Sequence, residues 1–216
     1  MEEQHNAGKN GIARAWKKAW SSRKFRILTI VAITILAGIL GSFPYFFALI
    51  EQREGTLLND RLLQLIPPYD VSVPAFIVMW SMSLLLLMRC VQTPSIFILI
   101  LCSYILLTFA RMITILLFPL NPPIGLITLK DPLISVFYGG TDKFIKKDLF
   151  YSGHTSFQFL MFLCLQKKWD KILAFLSTIT IAVFLLVQHV HYTIDVVAAF
   201  FFTYLIYRLG KIIAVY

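Results

Sequence analysis

Long apolar runs alternate with short polar breaks along most of this chain. Runs of roughly 20 residues, the length at which a helix crosses a hydrocarbon layer of about 30 Å, cover about 26–50, 72–92, 94–119, 170–189 and 191–214. One more, 151–167, has an apolar core only from Phe157 to Leu165. It reaches spanning length when the polar run Tyr151-Ser152-Gly153-His154-Thr155 is counted as its mouth. The pattern predicts an all-α integral membrane protein, a bundle of six transmembrane helices. Pro94, after Val91-Gln92-Thr93, marks a tight connection, as does Lys167-Lys168-Trp169-Asp170-Lys171. Such short links favour antiparallel neighbours. The first run is too long for a signal-peptide core and no small-residue cleavage site accompanies it, so it is expected to be a retained span.

Before that run, Ile12, Trp16 and Trp20 recur every fourth residue among Arg14, Lys17 and Lys18. This spacing suits an amphipathic helix lying in the membrane interface; a disordered basic tail is the alternative. The predicted organisation is a basic amphipathic segment over 1–24 and a six-helix membrane catalytic domain over 25–216.

Composition agrees with a membrane location. Of 216 residues, 58% are hydrophobic and 14% charged, and the mean hydropathy is +0.76, well outside the range of soluble domains. The net charge of +9 raises the prospect of a nucleic-acid partner, but seven of the 20 basic residues lie in the first 26 positions, directly before an apolar run. That placement faces anionic lipid rather than nucleic acid. Cys90, Cys102 and Cys164 all fall within or at the edge of apolar segments, so no disulfide framework is implied.

The charges also suggest an orientation. With the N-terminus inside, thirteen basic residues lie on the inner side: seven from the tail, with Arg89, Lys167, Lys168, Lys171, Arg208 and Lys211. Six lie outside: Arg53, Arg61, Lys130, Lys143, Lys146 and Lys147. Basic residues favour the cytoplasmic side, so both termini are expected there. His154, at the mouth of the fourth span, and His191, at the mouth of the sixth, then share the non-cytoplasmic face. The absence of glycosylation sequons leans towards a bacterial inner membrane.

Ionisable groups at membrane depth are expensive and mark functional sites. Asp195 stands one helical turn after His191, on the same face, where a carboxylate orients an imidazole and raises its basicity. Displacement at phosphorus needs a nucleophile, an acid for the leaving oxygen and positive charge around the phosphoryl oxygens. His191 with Asp195 supplies the first and His154 the second. Ser152 and Gly153 place backbone N–H groups at a helix start that can receive an anion. Arg111, about 17 residues or roughly 26 Å up the third span from Pro94, brings charge near the same face; snorkelling to headgroups is its bland alternative. Two His and one Asp make no zinc set, and no metal or other cofactor is expected. Each residue has a structural alternative: Asp148 as an ordinary loop acid or helix cap, His189 as a cap of the fifth span, Lys143, Lys146 and Lys147 as a solvated patch, Gly139-Gly140 as a turn. His5 carries no argument.

These residues resemble the paired motifs of the type 2 phosphatidic acid phosphatase superfamily, and most of all its sphingomyelin synthase branch. Asp148 through Thr155 matches Asp-x-x-x-Ser-Gly-His-Thr, and His191 through Ala199 matches His-Tyr-Thr-x-Asp-Val-x-x-Ala. His189 matches a further histidine, Arg111-Met112-Ile113-Thr114 an Arg-x-Ile-Thr run, and Pro67-Pro68-Tyr69-Asp70 loosely a Pro-Leu-Pro-Asp element. Lys146-Lys147 stands where the synthases carry Cys-Gly, and Arg89 is at most a counterpart of their double arginine. The resemblance implies a six-helix enzyme in which His191 forms a phosphohistidine, Asp195 supports it and His154 protonates the leaving group. Arg111, Asp148, Ser152, Gly153, Thr155 and Tyr192 are candidates for substrate or phosphate binding, and lipids in the bilayer are the expected partners. The expected activity is headgroup transfer between lipids, with hydrolysis of phosphatidic acid or a polyprenyl phosphate as the alternative. A proton-coupled transporter is a remote one, because the ionisable groups cluster near one face.

Overall fold

A computed structural model describes residues 2–129 and 145–215, with side chains from residue 11 onwards. Lys130, Lys143 and Gly139-Gly140 lie outside the described residues, as does the His5 side chain. Among the described residues the fold is all-helical, with no β-strand. The helices are α1 (Glu2–Ser21), α2 (Arg23–Gln52), α3 (Arg61–Gln64), α4 (Ser72–Gln92), α5 (Pro94–Leu117), α6 (Gly153–Cys164), α7 (Lys168–Val187) and α8 (Thr193–Ile213).

Five of these, α2, α4, α5, α7 and α8, are long and apolar enough to cross a membrane. The fourth predicted span is the exception. Helix α6 has only 12 residues, about 18 Å, well short of a bilayer core. Ser152 caps its start through the Thr155 N–H, and the chain before it is tied to distant parts of the bundle. Glu51 Oε1 accepts from the Lys146 and Lys147 N–H groups, at 2.7 Å each. Thr114 Oγ1 donates to the Phe150 carbonyl at 3.0 Å. Counting apolar residues registers none of these long-range bonds.

Helix α5 is the centre of the bundle and packs against α2, α4, α6 and α8. Half of its apolar window is buried, against 11% for α2, which presents Ile27, Ile30 and Ile33 outward. Helices α6, α7 and α8 form a second close-packed set, joined by short turns, so the starts of α6 and α8 lie at one end. At the other end, Arg89 on α4 makes a two-point ion pair with Asp170 on α7, at 2.6 and 3.1 Å, and the Trp16 indole N–H donates to the Val91 carbonyl at 2.7 Å. Ala214 packs in the same apolar cluster as Trp16, Phe25 and Ile98. Helix α1 and the end of α8 therefore share the end of the bundle away from His191.

Candidate active site

Helix α8 begins at Thr193, so Asp195 occupies its third position and His191 lies just ahead of the first turn. Asp195 is fully buried and His191 is 3% exposed. Asp195 Oδ2 accepts from the Tyr192 N–H at 3.0 Å, closing the helix start, and lies 3.4 Å from His191 Nδ1. That is ion-pair distance without an aligned hydrogen bond, since neither His191 Nδ1 nor Asp195 Oδ1 has a hydrogen-bond partner. Contacts of this kind often tighten only with substrate in place.

The two motifs meet through the backbone. The Ser152 N–H donates to the Asp195 carbonyl at 3.1 Å. This one bond joins the start of α6 to the first turn of α8. The Ser152 hydroxyl is spent on Thr155, at 3.1 Å to its Oγ1 and 3.4 Å to its N–H, and its carbonyl accepts from the Ser156 hydroxyl and N–H. Ser152 and Thr155 are thus engaged in building the α6 cap. His154, on the first turn, is partly exposed.

Arg111 reaches the same place from α5. Its Nε donates to the Tyr151 carbonyl at 2.9 Å and its Nη2 to Asp148 Oδ1 at 2.7 Å. The guanidinium lies flat against Gly153: a Cβ added there would sit 2.5 Å from Nη1 and 2.6 Å from Cζ. Close approach rather than backbone conformation favours glycine here. A fixed cation consequently stands at the first residue of α6, with Asp148 as its partner.

Tyr192 is placed differently from the other candidates. Its hydroxyl donates to the Asn121 carbonyl at 2.9 Å and accepts from the Leu58 N–H at 3.3 Å, while its ring packs with Leu63, Leu120 and Leu149. It pins the segments over the α8 start. His189 does similar work in the α7–α8 turn. It sits at φ 56° with Nδ1 2.7 Å from the Ile124 carbonyl and Nε2 2.8 Å from that of Ile66. Arg89 stands at the far end with Asp170, not near the histidines.

Asp60 escaped the sequence reading. It caps α3 through the Leu63 N–H at 3.1 Å and accepts from the Thr193 N–H at 2.6 Å and hydroxyl at 3.0 Å. One carboxylate therefore caps α3 and the first residue of α8, beside His191. Burial works to raise its pKa, but the bonds from Thr193, Leu63 and Leu62 outweigh that and hold it below the ordinary value of 3.8. The only sequence signal was an aspartate three residues before an apolar position. Among the described residues, no three His, Cys, Asp or Glu side chains gather as metal ligands would.

Comparison with known proteins bears on this same region. No curated protein and no solved structure matches the chain. Residues 147–212 match the family model described as PAP2 superfamily C-terminal, a stretch that contains both histidine motifs but not Arg111, and the match supports the PAP2 superfamily.

Proposed function

We propose that this protein is a membrane-embedded phosphatase or phosphotransferase acting on a lipid phosphate or headgroup through a phosphohistidine at His191. The observation that carries the proposal is the joint placement of three groups. A buried His191–Asp195 pair is tied by the Ser152–Asp195 bond to the His154 turn, and the Arg111 cation is packed on Gly153 of that turn.

Asp195 favours the tautomer with the proton on Nδ1, leaving the His191 Nε2 lone pair for attack. Nε2 forms a bond to phosphorus as the bond to the leaving oxygen breaks, and His154 gives that oxygen a proton. Charge on the phosphoryl oxygens is met by Arg111 and the Gly153 N–H; Asp148 holds Arg111 in place. In the second half, a hydroxyl attacks phosphorus, His154 takes its proton, and the P–N bond breaks to restore His191.

Water as acceptor makes the enzyme a phosphatase; a lipid hydroxyl makes it a transferase. The motif set like that of sphingomyelin synthases supports the lipid hydroxyl, with a phospholipid as donor and a ceramide-like lipid as acceptor. A phosphatidic acid or polyprenyl phosphate phosphatase is the second reading, supported by the superfamily match alone. The basic residues gathered at the end away from His191 support a non-cytoplasmic active site, with the short α6 standing where a sixth span would run; the lack of glycosylation sequons in the sequence favours a bacterial inner membrane.

The test is activity of purified protein in vesicles, read as phosphate release and headgroup exchange. His191→Ala and His154→Ala should each abolish both. Full activity in both variants would end the proposal.

A further inference from the structure

The end of the bundle opposite His191 carries a feature that phosphoryl chemistry does not use. Lys24 at the start of α2 and Arg208 and Lys211 near the end of α8 line an open cavity of about 610 Å³, together with Ile212 and Val215. From Asp195 to Lys211 is 16 positions along α8, about 24 Å, so this cavity lies at the other membrane face.

Two properties set it apart from scattered interfacial lysines. First, among the described residues, no carboxylate makes an ion pair with any of the three cations. Arg208 donates to the Tyr204 hydroxyl, at 3.1 Å, and Lys211 lies over the Tyr207 ring. Second, the cations stand on a packed frame. Phe25, next to Lys24, is fully buried, and Ala214 packs in the same cluster. Gly210, between Arg208 and Lys211, is pressed closely on Ser103 of α5, whose hydroxyl a Cβ there would displace. The backbone positions that carry these three exposed cations are thereby fixed around one cavity, on two helices long and apolar enough to cross the membrane.

We propose that this cavity binds the phosphate headgroup of an anionic phospholipid from the leaflet opposite the active site. Basic pockets between membrane helices suit lipid headgroups. Ile212 and Val215 give the cavity the apolar wall that an acyl chain needs and a free anion does not, and the exposed Ile27 continues that surface one turn along α2 from Lys24. The site is independent of the catalytic proposal.

Binding is read by native mass spectrometry and thermal unfolding of the full chain in neutral detergent. The probes are phosphatidylglycerol, phosphatidylcholine and inorganic phosphate. Phosphatidylglycerol should bind and raise the unfolding temperature, and phosphatidylcholine and inorganic phosphate should bind far more weakly. Replacing all three cations (Lys24→Gln, Arg208→Gln, Lys211→Gln) should weaken phosphatidylglycerol roughly 100-fold, at about fivefold per charge. Removing three charges elsewhere (Arg14→Gln, Lys17→Gln, Lys18→Gln) should change it less than about threefold. Where circular dichroism shows the triple variant misfolded, Lys211→Gln alone decides, with its fivefold loss. Undiminished binding in the cavity variants, or an equal loss in the α1 variants, would overturn the site. Inorganic phosphate binding as tightly as phosphatidylglycerol would overturn the lipid as its ligand.

Discussion

Gly153→Ala is a one-carbon change whose consequence follows from the packing of Arg111. The added Cβ would lie 2.5 Å from Nη1, 2.6 Å from Cζ and 2.9 Å from Nη2, where ordinary contact begins at 3.4 Å. The guanidinium must retreat by about 0.9 Å (3.4 less 2.5). It cannot do so freely, because Nε and Nη2 are bonded to the Tyr151 carbonyl and to Asp148. Retreat along the Asp148 bond stretches 2.7 Å to about 3.6 Å, beyond hydrogen-bond range. Removing an oriented donor from a phosphoryl or acyl transfer site costs about 100- to 1000-fold in rate, and displacing one costs less. We expect kcat/KM for phosphate release or headgroup exchange to fall about 10- to 100-fold, or 1.4 to 2.8 kcal/mol of barrier. The double-mutant cycle supplies the decisive comparison. In an Arg111→Ala background nothing remains for the Cβ to displace, so adding Gly153→Ala should cost less than about twofold. If the two losses multiply instead, the contact is not how Gly153 acts, and the reasoning fails.

Asp60→Ala should destabilise the protein by about 1 to 2 kcal/mol, the usual cost of a lost cap, and should slow turnover by loosening the α8 start; unfolding temperature and kcat measured together check both. Because the Asp60 pKa is lowered in the folded state, its stabilisation is present above the unfolded value of about 3.8 and is lost as pH falls through the lower folded value. The wild-type unfolding temperature should therefore drop below about pH 4, and Asp60→Asn should remove part of that drop. Asp170→Ala takes the carboxylate from Arg89, which is one-fifth exposed and keeps Gln92 as a partner, and should cost about 1 to 3 kcal/mol in thermal or denaturant unfolding. The double variant Arg89→Met, Asp170→Leu should recover most of that loss, and neither change should alter KM.

The long spans were legible because apolar runs of about 20 residues have few other uses. The length of α6 was not. Its start is set by the Ser152 cap and by a preceding stretch bonded to Glu51 and Thr114, partners 95 and 36 positions away. The pairing of Asp195 with His191 was local and could be read from the i,i+4 spacing. The approach of Arg111 to Gly153 could be placed only at the correct end of the membrane. Asp60 was missed because its partner Thr193 lies 133 positions away. Arg89, set beside the synthase arginines from its sequence position, has a partner 81 positions on, in Asp170. Tyr192 sits within the motif, yet its hydroxyl faces the Asn121 carbonyl, a direction that no motif spacing encodes.

The central claim is that the phosphoryl group passes through a covalent bond to His191. Rapid quench of the enzyme with a lipid substrate labelled on phosphorus, followed by peptide mapping, tests it most directly. An acid-labile, base-stable label should appear on the peptide carrying His191 before product is released, and His191→Ala should yield neither label nor product. Turnover by His191→Ala at the wild-type rate, or label on any other residue, would contradict it.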